Sequence, residues 1–166
     1  MAQNLELKLK LASHKEIRKT LRSIKAEFKG ILRQKDIYYK TSGMLLKLRT
    51  VNGKHELIKY RRDESGADRW SDYELLFLEG ENVETYFNDF FETECIVEKS
   101  RELWLYKDTR IHLDDVKYLG LFLELETVVK EDRRKAKELF DVIVSLLSLN
   151  LNDQILSSYK LLFLNK

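Results

Sequence analysis

The chain has 166 residues, enough for one domain with a core of its own. Its 30 Lys and Arg are nearly balanced by 28 Asp and Glu, a formal net charge of +2, which excludes the basic excess of a general nucleic-acid or membrane coat. One cysteine, Cys95, excludes a disulfide framework and a cysteine-rich zinc site, and fits a reduced, cytoplasmic setting.

No apolar run approaches the roughly 20 residues of a membrane span. The first ten residues are charged and carry no apolar signal region. Proline is absent and only six glycines occur, so no linker is evident and 1–166 reads as a single domain.

Leu5–Leu11 alternates Leu with Glu or Lys, the period of a strand with unlike faces. Ser13 and Glu16 have capping-box spacing, and Ile17, Leu21, Ile24 and Phe28 recur helically, predicting a helix over 14–28 that Gly30 ends. Gln34–Lys40 reads as a strand with Gln34, Asp36 and Tyr38 on one face. Met44–Val51 and His55–Arg62 pair across Asn52-Gly53, a strong hairpin signal. Asp63–Asp68 reads as a polar loop, and Trp70–Leu78 as a strand with Asp72 and Glu74 on one face.

Past Gly80 and Asn82, the aromatic stripe Val83, Tyr86, Phe87, Phe90 and Phe91 predicts a helix packed on a sheet. Cys95–Tyr106 reads as one long strand or two short ones, Arg110–Val116 as a strand presenting Arg110, His112 and Asp114, and Leu121–Val129 as the last strand. Residues 131–149 form an amphipathic helix whose solvated side holds Lys130–Lys137, and the apolar tail Ile155–Leu164 packs back on the body. The expected class is α+β, mainly antiparallel β. Eight strands joined by short turns close readily into a barrel whose lumen holds one small ligand.

Ionic alternation recurs along the chain. Lys47 and Arg49, Lys59 and Arg61, Lys99 and Arg101, and Glu124 and Glu126 each sit two apart on a strand. Turned inward, they make a basic set of Lys8, Lys47, Arg49, Lys59, Arg61, Lys99, Arg101 and Arg110, and an acidic set of Glu6, Glu74, Asp114, Glu124 and Glu126. So many enclosed cations need an anion, since burying each one uncompensated is costly. A phosphate chain suits them: Arg grips phosphate bidentately and Lys acts as a point charge. The paired carboxylates suit Mg²⁺ or Mn²⁺, which commonly bridge substrate phosphates. The bland alternative is a carrier barrel with its charged sheet faces in solvent. His112 reads as a hydrogen-bonding lumen residue rather than a zinc ligand, because His14 and His55 show no ligand spacing with it. Cys95 reads as a core residue. No Walker-type glycine loop is present.

These segments, in this order, resemble a known family. Asn4-Leu5-Glu6-Leu7-Lys8 is similar to the ExExK signature of the CYTH, or triphosphate tunnel metalloenzyme, superfamily. Arg33–Tyr38 resembles its R-Q-x-D-x-Y segment, and Leu46–Arg49, Lys59–Arg62, Ser71–Glu74 and Val97–Arg101 follow in the family's order. Arg110–Val116, the L-G-x-F-x-E-x-E of Leu119–Glu126 and the closing Ser158-Tyr159 complete it, nearest to the class IV adenylyl cyclase branch.

The resemblance implies an eight-stranded tunnel, Mg²⁺ or Mn²⁺ dependence and a nucleoside or inorganic triphosphate substrate. Members make cAMP and pyrophosphate from ATP, or hydrolyse thiamine triphosphate or inorganic triphosphate. Carried over by position, Glu6, Glu124 and Glu126 hold metal, and Lys8, Lys47, Arg49, Lys59, Arg61, Lys99 and Arg101 bind phosphates. Asp114 is a candidate base, with Lys8 and Arg61 beside the reacting phosphate, and Glu74, Arg110, His112 and Asn4 complete the lumen. Class IV relatives often pair, so a homodimer fits the resemblance. Asn4 stands where the fuller signature has its first Glu, and Leu161 where an acidic residue is common. Asn4 keeps an oxygen donor but loses a charge, which weakens the second of two metals most and leaves a non-catalytic nucleotide- or polyphosphate-binding module as an alternative.

Overall fold

A computed structural model describes residues 2–62 and 68–166, with Arg62 by its backbone alone. In chain order the elements are β1 (Ala2–Leu11), α1 (Lys15–Ser23), β2 (Glu27–Tyr39), β3 (Leu45–Val51), β4 (Lys54–Arg62), β5 (Arg69–Leu78), α2 (Val83–Phe90), β6 (Thr93–Tyr106), β7 (Thr109–Val116), β8 (Gly120–Val128), α3 (Arg133–Leu146) and α4 (Tyr159–Leu164), with a 3₁₀ turn at Leu151–Asp153. The polar loop expected over 63–68 lies, but for Asp68, outside the described residues.

The eight strands close into one antiparallel barrel in the order β1-β5-β4-β3-β2-β6-β7-β8. Two meanders, β2 to β5 and β6 to β8, are joined through β1, so every strand has two neighbours and no sheet edge is left open. Asn52 and Gly53 both take positive φ (50° and 76°), as the tight β3–β4 hairpin requires.

The outward faces of the strands carry the core. Leu5, Leu7 and Leu9 of β1, Ile111 and Leu113 of β7, and Leu123 and Leu125 of β8 pack under Leu21 of α1 and Phe140 and Ile143 of α3. Burying side chains of this size contributes roughly 1.5–3 kcal/mol each. α3 starts at Asp132, whose carboxylate accepts from the Lys135 N–H at 2.8 Å, an N-cap that satisfies an otherwise orphaned donor. The tail is laced to the barrel: the Ile155 N–H donates to the Lys8 carbonyl (2.8 Å), and Tyr159 packs with Tyr38, Val97 and Phe122. Cys95 is buried in the same cluster.

Three local expectations are corrected. The first helix stops at Ser23, because Lys25 turns left-handed (φ 58°) and the Ala26 N–H returns to the Leu21 carbonyl (2.9 Å). Phe28 therefore belongs to β2 and packs against Trp104 with the rings tilted, their centroids 4.9 Å apart. Gly30 ends no helix; it takes φ +122° at an irregularity in the β2–β6 register, where a side chain would be strained. On α2 only Val83 and Phe87 pack over Leu48 and Tyr39. Tyr86 and Phe90 lean on each other at 5.2 Å and stay exposed, because the stripe is wider than the sheet face two helical turns can cover.

Candidate functional site

The barrel encloses a cavity of about 340 Å³. Among the described residues, seven basic side chains line it (Lys8, Lys47, Arg49, Arg69, Lys99, Arg101 and Arg110) against four acidic ones (Glu6, Glu56, Glu124 and Glu126). Asp36 and Asp114 lie behind the basic residues, where they hold the cations in place without lining the cavity.

β6 and β7 build the deepest part. The Arg101 guanidinium grips Asp114 with two bonds, Nε to Oδ1 at 2.7 Å and Nη2 to Oδ2 at 2.6 Å, and reaches Glu124 at 2.5 Å. Lys99 Nζ lies 3.3 Å from Asp114 and Lys8 Nζ 3.2 Å from Glu124. Tyr159 closes this group from α4: its hydroxyl donates to Asp114 (2.8 Å) and its ring lies under both ammonium groups, 3.9 Å from Lys8 and 4.5 Å from Lys99. Burial alone would raise the Asp114 carboxyl, but Arg101 and Lys99 outweigh it and hold Asp114 far below the ordinary carboxylate range. Glu124 is likewise held low, against burial, by Lys8 and Arg101. Burial first, then Arg101, pushes the Lys99 ammonium down.

A second group sits on β2 and β3, where Asp36 takes two bonds from Arg49 (2.8 and 2.9 Å) with Lys47 at 3.4 Å. A third joins β1, β7 and β8. Glu126 meets Arg110 at 3.0 Å, and Glu6, directly opposite Glu126 in the register, accepts from Ser71. Glu126 falls to about 2, because His112 and Arg110 overcome the upward push of burial. Burial and then Arg101 push His112 down to about 3, so its ring is neutral over the physiological range. His112, Glu124 and Glu126 offer a ring nitrogen and two carboxylate oxygens within 4.8 Å of one another, a donor set that fits a divalent cation.

The structure brings Asn4, Glu6, Lys8, Lys47, Arg49, Lys99, Arg101, Arg110, His112, Glu124 and Glu126 to the cavity wall, with Asp114 immediately behind it. Lys59, Arg61 and Glu74 do not reach it. Residues directly opposite across an antiparallel pair share a face. Lys47 is inward and faces Ile58, so Lys59, which faces Leu46, is outward. Lys59 and Glu74 pair on the exterior, 43% and 47% exposed, and Arg61 stands opposite Asp72 on the same outer ladder. Beside Glu56 on β4 and Arg69 and Ser71 on β5, the inward positions of these strands are the facing pairs Ile58–Leu75 and Tyr60–Tyr73. Lys59→Ala is therefore expected to leave tripolyphosphate affinity within about twofold of the parent, by calorimetric titration, since exposed pairs of this kind contribute little.

Some residues of the cavity wall and of the layer behind it have no place in the sequence-derived set. Asp36 lies on the polar face visible as Gln34, Asp36 and Tyr38, and a carboxylate across from the basic β3 was the signal for it. Tyr159 was marked only by the Ser-Tyr pair. Arg69 and Glu56 stand in no alternating ionic pattern.

A closed antiparallel barrel with a cation-rich lumen, its guanidinium groups braced by carboxylates from behind, defines a class of anion-holding tunnel. A CYTH domain model matches residues 2–155, and the chain belongs to that family, whose members are metal-dependent and act on triphosphates. No curated protein matches it in sequence. Among solved structures, PH1012 of Pyrococcus horikoshii OT3 is similar over 95% of this chain and 97% of its own, with a TM-score of 0.83 at 21% identity. An adenylate cyclase candidate from Vibrio parahaemolyticus is similar over 96% and 97%, with a TM-score of 0.77 at 20% identity. The Hippeastrum protein HpAC1, an adenylyl cyclase candidate described as having a dominant triphosphatase activity, is similar over 90% and 89%, with a TM-score of 0.64 at 15% identity. At these identities the likeness is one of fold. Among the described residues, no helix is long and apolar enough to cross a membrane.

Proposed function

We propose that this protein is an adenylyl cyclase-like enzyme that converts ATP to cAMP and pyrophosphate with Mg²⁺ or Mn²⁺. The observation that carries this reading is the two-sided lumen. In the barrel order β4 lies across from β7, and β5 across from β6. The aliphatic and aromatic pairs Ile58–Leu75 and Tyr60–Tyr73, flanked by Glu56 and Arg69, therefore face Lys99, Arg101 and the neutral His112. An inorganic triphosphate makes no use of an apolar wall, whereas a nucleoside has a base to lay against one.

In this reading Lys8, Lys47, Arg49, Lys99 and Arg101 hold the phosphates and neutralise the charge that builds on the leaving pyrophosphate. Glu124 and Glu126, with Glu6 alongside, would hold the metal, which supplies charge neutralisation at the phosphate oxygens when bound. The ribose 3′-hydroxyl attacks the α-phosphorus in line, the bond from that phosphorus to the bridging oxygen breaks, and the hydroxyl proton passes to solvent as pyrophosphate leaves. Asp114 orders Arg101 and Lys99: held so low and fully engaged, it is a poor base. The second reading, a triphosphatase in which water attacks the terminal phosphorus, uses the same residues and is favoured by the activity described for the Hippeastrum protein of like fold.

Incubation of the purified protein with ATP, thiamine triphosphate and tripolyphosphate, each with Mg²⁺ or Mn²⁺, separates these by phosphorus NMR. cAMP and pyrophosphate from ATP are expected. Orthophosphate with no cAMP would replace the cyclase by the hydrolase, and tight binding without product would make the tunnel a binding module.

A further inference from the structure

We propose that His112 is a direct metal ligand through Nδ1, beside Glu124 and Glu126, and that this imidazole tilts the site toward Mn²⁺ over Mg²⁺. The proposal rests on the reading of the lumen as a metal–triphosphate site and specifies its ligand set.

His112 sits on β7 between Arg110 and Asp114, directly opposite Glu124 on β8. It is 4% exposed, and its Nδ1 is wholly enclosed with no hydrogen-bond partner. Native structures seldom leave a buried polar atom unanswered, and an unmet one marks a missing ion or water. Nδ1 faces Glu126 Oε1 at 3.9 Å and Glu124 Oε2 at 4.0 Å. Both are too long for a hydrogen bond. They fall inside the span open to atoms that share an ion. Two donors each about 2.1 Å from one small divalent cation stand about 3 Å apart at a right angle and about 4.2 Å apart when opposed.

The neighbours leave Glu126 Oε1 and His112 Nδ1 to an ion, and Glu124 Oε2, held by Arg101 at 2.5 Å, would be shared between that guanidinium and the metal. Glu126 gives Oε2 to Arg110 at 3.0 Å and turns Oε1 toward His112. Asn4, with its amide oxygen toward β7, accepts from the same Arg110 nitrogen at 3.1 Å. The guanidinium thus supplies positive charge on the Asn4 flank of Glu126, and Glu6 is engaged by Ser71. A nitrogen donor then decides between metals. Carboxylates suit Mg²⁺ and Mn²⁺ alike, whereas imidazole favours transition ions over Mg²⁺.

The test is electron spin echo modulation of the Mn²⁺-loaded full chain with tripolyphosphate present, natural-abundance against ¹⁵N-histidine-labelled. His14 bonds the Phe122 carbonyl and His55 bonds Thr50, and neither lines the cavity, so a histidine coupling reports His112. A directly bound imidazole nitrogen that changes with the label is expected. His112→Gln is expected to remove the coupling and to weaken Mn²⁺ about tenfold or more, with a clearly smaller loss for Mg²⁺. Bound Mn²⁺ with no histidine coupling overturns the His112 assignment and leaves the metal–triphosphate reading standing. No Mn²⁺ bound at all overturns both. The wild-type measurement decides the matter even where the variant fails to fold.

Discussion

Asp114→Asn is expected to destabilise the protein by about 3–5 kcal/mol, the usual cost of removing one partner from a buried ionic group. The substitution keeps the shape and removes the charge. Asp114 is fully buried and takes two bonds from Arg101, the Lys99 ammonium and the Tyr159 hydroxyl. An amide turns a nitrogen toward the guanidinium, donor against donor, and leaves two enclosed cations short of an anion. Urea unfolding at pH 7 measures the loss. A change under about 1 kcal/mol would show that Lys99 and Arg101 do not depend on this carboxylate. The same logic predicts a rescue: tripolyphosphate should raise the melting temperature of the variant more than that of the parent, because the anion returns the missing charge. It also sets the acid limit of the parent. The folded-state pKa of Asp114 lies below its unfolded value of about 4, so its contribution is complete above that value and is lost as pH falls toward the folded pKa. Glu126, at about 2, follows the same course. Stability should therefore decline from about pH 4 downward, read as a falling urea midpoint.

The barrel was legible because period-two patterning and turn signals survive in the sequence of every strand. The inward faces were legible only in part, since alternation states that the two faces differ and not which one is inside. On β1, β3 and β8 the leucine faces meet α1, α3 and α2, so the charges turn in. On β4 the same pattern of Lys59 and Arg61 turns out, because the register to β3 ties Ile58 to Lys47. That register is a long-range fact, absent from the local sequence. The extent of β2 was hidden for another reason. Phe28 continues a helical spacing, but the left-handed turn at Lys25 ends the helix first. His112 reads from the sequence as a hydrogen-bonding lumen residue, since no second histidine stands at ligand spacing; that Glu124 and Glu126 come level with it follows only from the β7–β8 pairing.

Glu124→Gln should move two readouts in opposite directions. Glu124 stands between the proposed metal corner and the cations proposed to hold phosphate, with one oxygen 3.2 Å from Lys8 and the other 2.5 Å from Arg101. Losing its charge weakens the metal donor set, so metal-dependent turnover is expected to fall by about 10²–10³, in the range seen when a key electrostatic stabiliser is removed. The same change frees Lys8 and Arg101 for an anion and removes a carboxylate that repels phosphate, so metal-free tripolyphosphate should bind tighter than in the parent. A plain folding defect lowers both, and a site in which Glu124 only braces the cations lowers anion affinity without touching the metal dependence. Turnover against metal concentration, set beside calorimetric titration in chelator, separates these cases. If Glu124→Gln retains the parent's metal-dependent rate, the carboxylates of β8 do not hold the ion, and the metal must be sought elsewhere in the tunnel.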